Sequence, residues 1–137
     1  MPTATATKKK PAASAASPLA ALIALAALQP GEQFAGIVQE NSTWHGVVLL
    51  PGDQADAIWK KQMAWAQSIG GDLPSQPEQS LLRATLPDEF KADWYWSNRQ
   101  HASDAGSAWC QLFFNGGQYY DYVNRTLRAR AVRRLPI

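Results

Sequence analysis

From Asp93 onward the apolar residues of this chain recur every second position, and that period limits the C-terminal third to β-sheet, in which each side chain serves only one face. Trp94 and Trp96 are predicted on one face, Tyr95 and Ser97 on the other. In the stretch 108–114, Ala108, Cys110, Leu112 and Phe114 form the predicted core set, and Trp109, Gln111 and Phe113 point the opposite way. Asn115-Gly116-Gly117 is a strong turn signal, and residues 118–123 return as a strand that brings Tyr119 beside Trp109. Asn124-Arg125-Thr126 turns again. Residues 127–134 then read as one last strand, with Arg128 and Arg130 sharing a face and alternating with Ala129 and Ala131.

Upstream the pattern differs. Residues 34–39 and 44–50 read as a hairpin around a polar turn at 40–43, ended by Pro51-Gly52. Asp53 is placed to cap a helix whose apolar stripe runs through Ala55, Ile58, Trp59, Gln62, Met63, Ala66 and Ile69, with Trp65 widening it and Trp59 near-completely buried. Gly70-Gly71 supplies a left-handed stop. Ser75 and Glu78 have the spacing of a capping box, with Pro77 in the first turn of a second helix that carries Leu81 and Leu82 and closes at Pro87. The predicted class is α+β: an N-terminal β-hairpin, two helices, and an antiparallel β-meander.

The 137 residues suffice for one domain. All three basic residues of the first 30 are lysines, Lys8 to Lys10, and no acid accompanies them; residues 31–137 hold ten basic and eleven acidic side chains. The positive excess therefore belongs to the tail, which argues against nucleic-acid binding by the body. Residues 1–17 are rich in Ala, Ser, Thr and Pro and read as a disordered anchoring arm. Residues 18–30 read as a short apolar helix or linker, too short to span a membrane. A signal peptide is the alternative, with Ala24-Leu25-Ala26 as its cleavage site; the prolines between Lys10 and Leu19 weigh against it. Residues 31–137 form the domain. The single cysteine, Cys110, excludes an internal disulfide, fits a reducing compartment and is expected to pack as an inert thiol.

The ordered set of Trp59, Trp65-Ala66, Gly71-Asp72-Leu73-Pro74, Tyr95-Trp96-Ser97, Ala108-Trp109, Gly116-Gly117 and the terminal Leu127-Arg128-Ala129-Arg130-Ala131-Val132-Arg133 resembles the Lcl C-terminal domain family, found in phage, prophage and bacterial surface proteins. The resemblance covers about residues 30–135. It implies a C-type-lectin-like fold in which the N- and C-terminal strands lie adjacent. It also implies a setting in recognition, by a virion or surface protein, of a host glycan or receptor.

Lectin-type calcium sites require several converging oxygens. Gln76-Pro77-Glu78 and Trp96-Ser97-Asn98 approach that pattern only superficially, since Glu78 belongs to the capping box; no metal and no cofactor is expected. The oxidase branch of related folds needs a cysteine pair, which Cys110 alone cannot form. His101, Ser103 and Asp104 are neighbours in a polar loop rather than a triad, and His45 reads as a satisfied strand histidine, so no catalytic residue is expected. The arginines are expected to pair internally, with acids such as Asp93 and Asp121, or to stack on tryptophan. The predicted ligand- or partner-binding residues are Trp96, Asn98, Arg99, His101, Trp109, Tyr119, Asp121 and Asn124, because aromatic side chains with amide and Arg neighbours have the composition of binding surfaces.

The expectation is a non-catalytic recognition or assembly module, in a virion or the host cytoplasm rather than secreted, joined to another virion or surface protein through residues 1–30. The alternatives are a structural or homo-oligomerising protein with no glycan ligand and a secreted bacterial surface domain.

Overall fold

The computed structural model describes residues 18–19 and 27–137; the arm at 1–17 and most of the apolar segment at 18–30 lie outside the described residues. The domain is α+β. Strand β1 (Gln33–Glu40) and β2 (Thr43–Leu49) form the hairpin, followed by β3 (Gln54–Ala57), helix α1 (Trp59–Ser68), helix α2 (Gln76–Thr85) and a short 3-10 turn at Pro87–Glu89. Strands β4 (Trp94–His101), β5 (Asp104–Leu112), β6 (Gly117–Tyr122), β7 (Leu127–Ala129) and β8 (Val132–Pro136) complete it. They make a three-stranded sheet in the order β1-β2-β8 and a five-stranded sheet in the order β3-β7-β4-β5-β6. No described helix is long and apolar enough to cross a membrane.

The hairpin turns at Asn41 and Ser42, both with positive φ (52° and 64°), which matches the right-handed twist of the flanking strands. The capping box is present: the Ser75 hydroxyl accepts from Glu78 N–H, and Glu78 Oε1 accepts from Ser75 N–H at 2.8 Å. Helix α1 ends in a Schellman motif, with Gly70 at φ 85°, Gly71 N–H donating to Ala66 O and Gly70 N–H to Gln67 O. Gly71 is needed for a second reason. A Cβ there would stand 2.6 Å from Val132 O and from Leu50 Cδ1, because Asp72 and Val132 exchange backbone hydrogen bonds that stitch the inter-helix segment to β8.

Both faces of the meander are covered. On one side α1 packs through Ala66, Trp59 and Met63 against Trp96, Ala108, Cys110 and Ala129. On the other, Leu82 of α2 joins Tyr95, Phe113, Val47, Leu49 and Val132, with Phe90 stacked on Phe113 at 4.0 Å between ring centroids. Several expectations are corrected here. Asp53 caps no helix. Residues 54–57 form β3 against β7, α1 begins at Trp59 after an uncapped Ile58, and Asp53 instead accepts hydrogen bonds from Tyr95 Oη (2.8 Å) and Arg128 Nε (3.0 Å). The fully buried residues of α1 are Gln62 and Ala66, and Trp59 is only half-buried. Gln62 Nε2 donates to Ala55 O and Leu127 O, tying the helix to the neighbouring strands β3 and β7.

The expected last strand is two strands in different sheets, and β7 runs parallel to β4, so the five-stranded sheet is not purely an antiparallel meander. Strand β8 pairs with β2, not with β1, so the N- and C-terminal strands are separated by β2 rather than adjacent. Arg128 and Arg130 consequently share no sheet face. Phe114 is 70% exposed rather than core, because it lies in the turn after β5 ends at Leu112, while Phe113 is buried on the α2 face with Gln111.

Candidate functional site

The arginines of the C-terminal segment lock the domain internally. Arg128 pairs with Asp53, Arg133 with Glu32, and Arg134 with Glu78 and Asp72. Arg130 donates to Glu89 O and Leu50 O and lies over the Phe90 ring at 5.6 Å. Internal pairing was expected, but the acids are Asp53, Glu32, Glu78, Asp72 and, for Arg130, Glu89 rather than Asp93 and Asp121, and the stacked rings are Phe90 and, for Arg125, Tyr122, rather than tryptophan.

Glu78 is wholly buried. Burial alone would raise its pKa, but hydrogen bonds from Arg134, Ser75 N–H and His45, with the Arg134 charge, hold the carboxyl below the usual range. His45 Nε2 donates to Glu78 Oε2 at 2.6 Å. Glu40, on the hairpin tip, accepts from Ser75 Oγ at 2.8 Å and from Arg99 Nη2 at 3.3 Å. The ligand atoms of Glu40, His45 and Glu78 lie within 4.8 Å of one another. Both Glu78 oxygens are already held by the Arg134 guanidinium, however, and a cation placed here would face that fixed charge. The cluster has the character of an ion-pair network rather than of a metal centre.

Above this network two recesses meet. A polar cleft of about 540 Å³ lies between the hairpin tip, the start of α2 and β6, lined among others by Glu40, Asn41, Gln76, Arg99 and Gln118. A smaller one of about 270 Å³ shares Glu40, Asn41 and Arg99 and reaches down to His45, Ser75 and Arg134. Gln118 is fixed by donating to Gln76 O at 2.7 Å and Gln111 Oε1 at 2.9 Å.

Gln118 and Tyr120 stand two residues apart on one face of β6, and Tyr120 is paired across the sheet with Trp109. Past the N-terminus of α2 this face carries an aromatic shelf. The His101 ring stacks on Trp109 at 5.4 Å and 17°, and Tyr120 meets both rings edge-on, at 4.5 Å from His101 and 5.3 Å from Trp109. Tyr120 is 57% exposed. His101 Nδ1 accepts from Ser103 N–H, which fixes the ring without any contact of triad type.

Of the residues predicted for binding, His101 and Trp109 come together in the shelf, and Arg99 and Asn98 in the smaller recess. The other four are dispersed. Trp96 is wholly buried, its Nε1 donating to Ala57 O, so it belongs to the core. Asn98, which lines the smaller recess with Arg99, is held there by its Nδ2 donating to Asp72 at 3.0 Å. Tyr119 pairs with Cys110, not Trp109, and therefore stands on the opposite face of the sheet, edge-on to Trp94 at 5.2 Å. Asp121, opposite Ala108, is on that face too, and Asn124 lines a separate groove beside α1. Tyr120, Glu40, Asn41 and Gln76 were not anticipated. The signal for Tyr120 was the turn length: pairing Leu112 with Gly117 across the Asn-Gly-Gly turn sets Tyr120 opposite Trp109. The turn at 40–43 was predicted, but nothing local marked its tip as part of a site.

Cys110 is buried, and burial followed by the Asp121 charge pushes its thiol up to about 12. No family model and no curated protein matches the chain.

Proposed function

We propose that this chain is a non-catalytic recognition or assembly module with a C-type-lectin-like domain, acting as a virion-associated or host-surface-binding component of a phage or prophage. The sequence motifs support that family, and the chain order of hairpin, two helices and a mostly antiparallel sheet is compatible with it. The observation that carries the reading is the aromatic shelf of His101, Trp109 and Tyr120 set beside the polar cleft of Arg99, Asn41 and Gln118. A π-face next to convergent donors and acceptors suits the apolar face and hydroxyls of a sugar, or a polar loop of a receptor. The charged groups beneath the cleft hold one another, with Glu78 on Arg134 and Glu40 on Ser75 and Arg99, which suits a rigid binding floor better than proton transfer. Residues 1–30 would join the domain to another virion or surface protein. Screening the purified chain on a glycan array and on host cells tests the reading, and binding that survives Tyr120→Ala would remove its basis.

A structural reading has its own support. On the outer face of the three-stranded sheet Phe34, Ile37 and Trp44 are 36%, 51% and 50% exposed, and an apolar patch of that kind marks association surfaces. Light scattering decides: a homo-oligomer that Ile37→Lys dissociates would favour assembly over ligand recognition.

A further inference from the structure

We infer that a second site, separate from the cleft, binds a small free amphiphile with an apolar body and one anionic head group, in the groove beside α1. The groove has a volume of about 480 Å³ and is lined by Ile58, Trp59, Met63, Ala105 and Val123, with Lys60 and Asn124 among its polar residues. It belongs to the α1 side of the meander, where Trp59, Met63 and Val123 pack against the core; the aromatic shelf is on the other side.

Its walls are fixed before any ligand arrives. Trp59 N–H donates to Val123 O at 3.1 Å, Trp59 Nε1 to Ser97 O at 2.8 Å, and Gln100 Nε2 to Ala105 O at 2.8 Å. With those polar groups satisfied internally, the surface left to face the opening is mainly aliphatic and aromatic carbon, and filling it removes apolar area from water at no cost in broken hydrogen bonds. The volume falls within the roughly 300–1,000 Å³ of small-molecule sites.

The head group follows from charge. Lys60 is exposed and makes no ion pair among the described residues. None of the lining residues is acidic. The adjacent Asp104 carboxylate is occupied by Ser107 Oγ and Gly106 N–H. A carboxylate at the mouth would meet the Lys60 ammonium, with the Asn124 amide as a second donor.

Decanoate is the probe, with decanol as its uncharged counterpart. Calorimetry of the full chain should show saturable decanoate binding with a shift in tryptophan emission. Lys60→Gln should weaken decanoate about threefold to fivefold, as for one partly exposed ion pair, and leave decanol unchanged. Ala105→Phe, which fills the groove from an exposed strand position, should abolish binding of both. Arg99→Ala should alter neither, which keeps this site independent of the cleft. The Met63 methyl resonance of the unmodified chain should move on titration, so the test does not depend on a variant folding. Absence of saturable binding, a Met63 signal that stays fixed, or a Lys60→Gln effect equal for decanoate and decanol would overturn the inference.

Discussion

Arg134, on the last strand, holds both carboxylate oxygens of Glu78, in the first turn of α2: Nε to Oε2 at 2.7 Å and Nη2 to Oε1 at 2.8 Å. The same carboxylate closes the capping box and receives His45, so one wholly buried group ties the hairpin, α2 and the C-terminal strand into the floor of the cleft. Removing one partner of such a pair leaves a buried charge without compensation. Arg134→Ala should therefore cost about 3 kcal/mol, the low end for a buried pair because the guanidinium is partly exposed, as read from urea unfolding. A cost near zero would mean the pair adds nothing to the fold.

The pH dependence has a definite sign. The Arg133 hydrogen bond holds the Glu32 carboxyl below its usual range, and Glu78 is lowered as well. Their contribution is present above the ordinary glutamate value and is lost as the pH falls through the depressed folded values. On the alkaline side, burial foremost pushes Tyr95, with its bond to Asp53, and Cys110 up to about 12. The stability they contribute is present below their ordinary values and is lost as the pH rises toward about 12. Unfolding free energies across the pH range should form a plateau with losses at both ends; no acid loss would contradict the carboxylate assignments.

Gly71→Ala should destabilise by more than about 2 kcal/mol, because the new methyl meets a backbone carbonyl that cannot yield without breaking the stitch to Val132. Gly70→Ala, at a left-handed position with nothing within 4 Å, should cost only about 1 kcal/mol. Thermal melts of the two variants give the comparison, and equal losses would argue against the close approach.

Trp96→Ala should cost on the order of 3–5 kcal/mol, as for a wholly buried aromatic, and the loss should appear in melting. A variant that melts normally would return Trp96 to the surface.

Much of this architecture was legible wherever a local signal had one structural meaning. Ser75 with Glu78 marked the α2 start, Gly70 the α1 stop, and the Asn-Gly-Gly turn the β5–β6 hairpin. Where tertiary pairing decides, the sequence reading failed. Residues 54–57 continue a helical period on paper but are drawn into a sheet by β7, and Ile58 offers no cap to set the true helix start. The chain at 129–132 alternates without interruption, yet Ala129 and Val132 pair in different sheets, a division no local residue announces. The candidate site suffered from a one-residue register error: Tyr119 and Tyr120 are chemically alike, and only the hairpin register assigns one to the shelf and the other to the opposite face.

That register provides the most direct test of the recognition surface. Binding to the host surface, or to a glycan found by array, should be measured for Arg99→Ala, Tyr120→Ala and Tyr119→Ala alongside their melting. Arg99→Ala and Tyr120→Ala should each weaken binding about tenfold or more, as for residues central to an interface, and Arg99→Ala should change stability by no more than about 0.5 kcal/mol. Tyr119→Ala should bind like the unmodified chain. Loss of binding on Tyr119→Ala with retention on Tyr120→Ala and Arg99→Ala would contradict the account and move the recognition surface to the other face of the sheet.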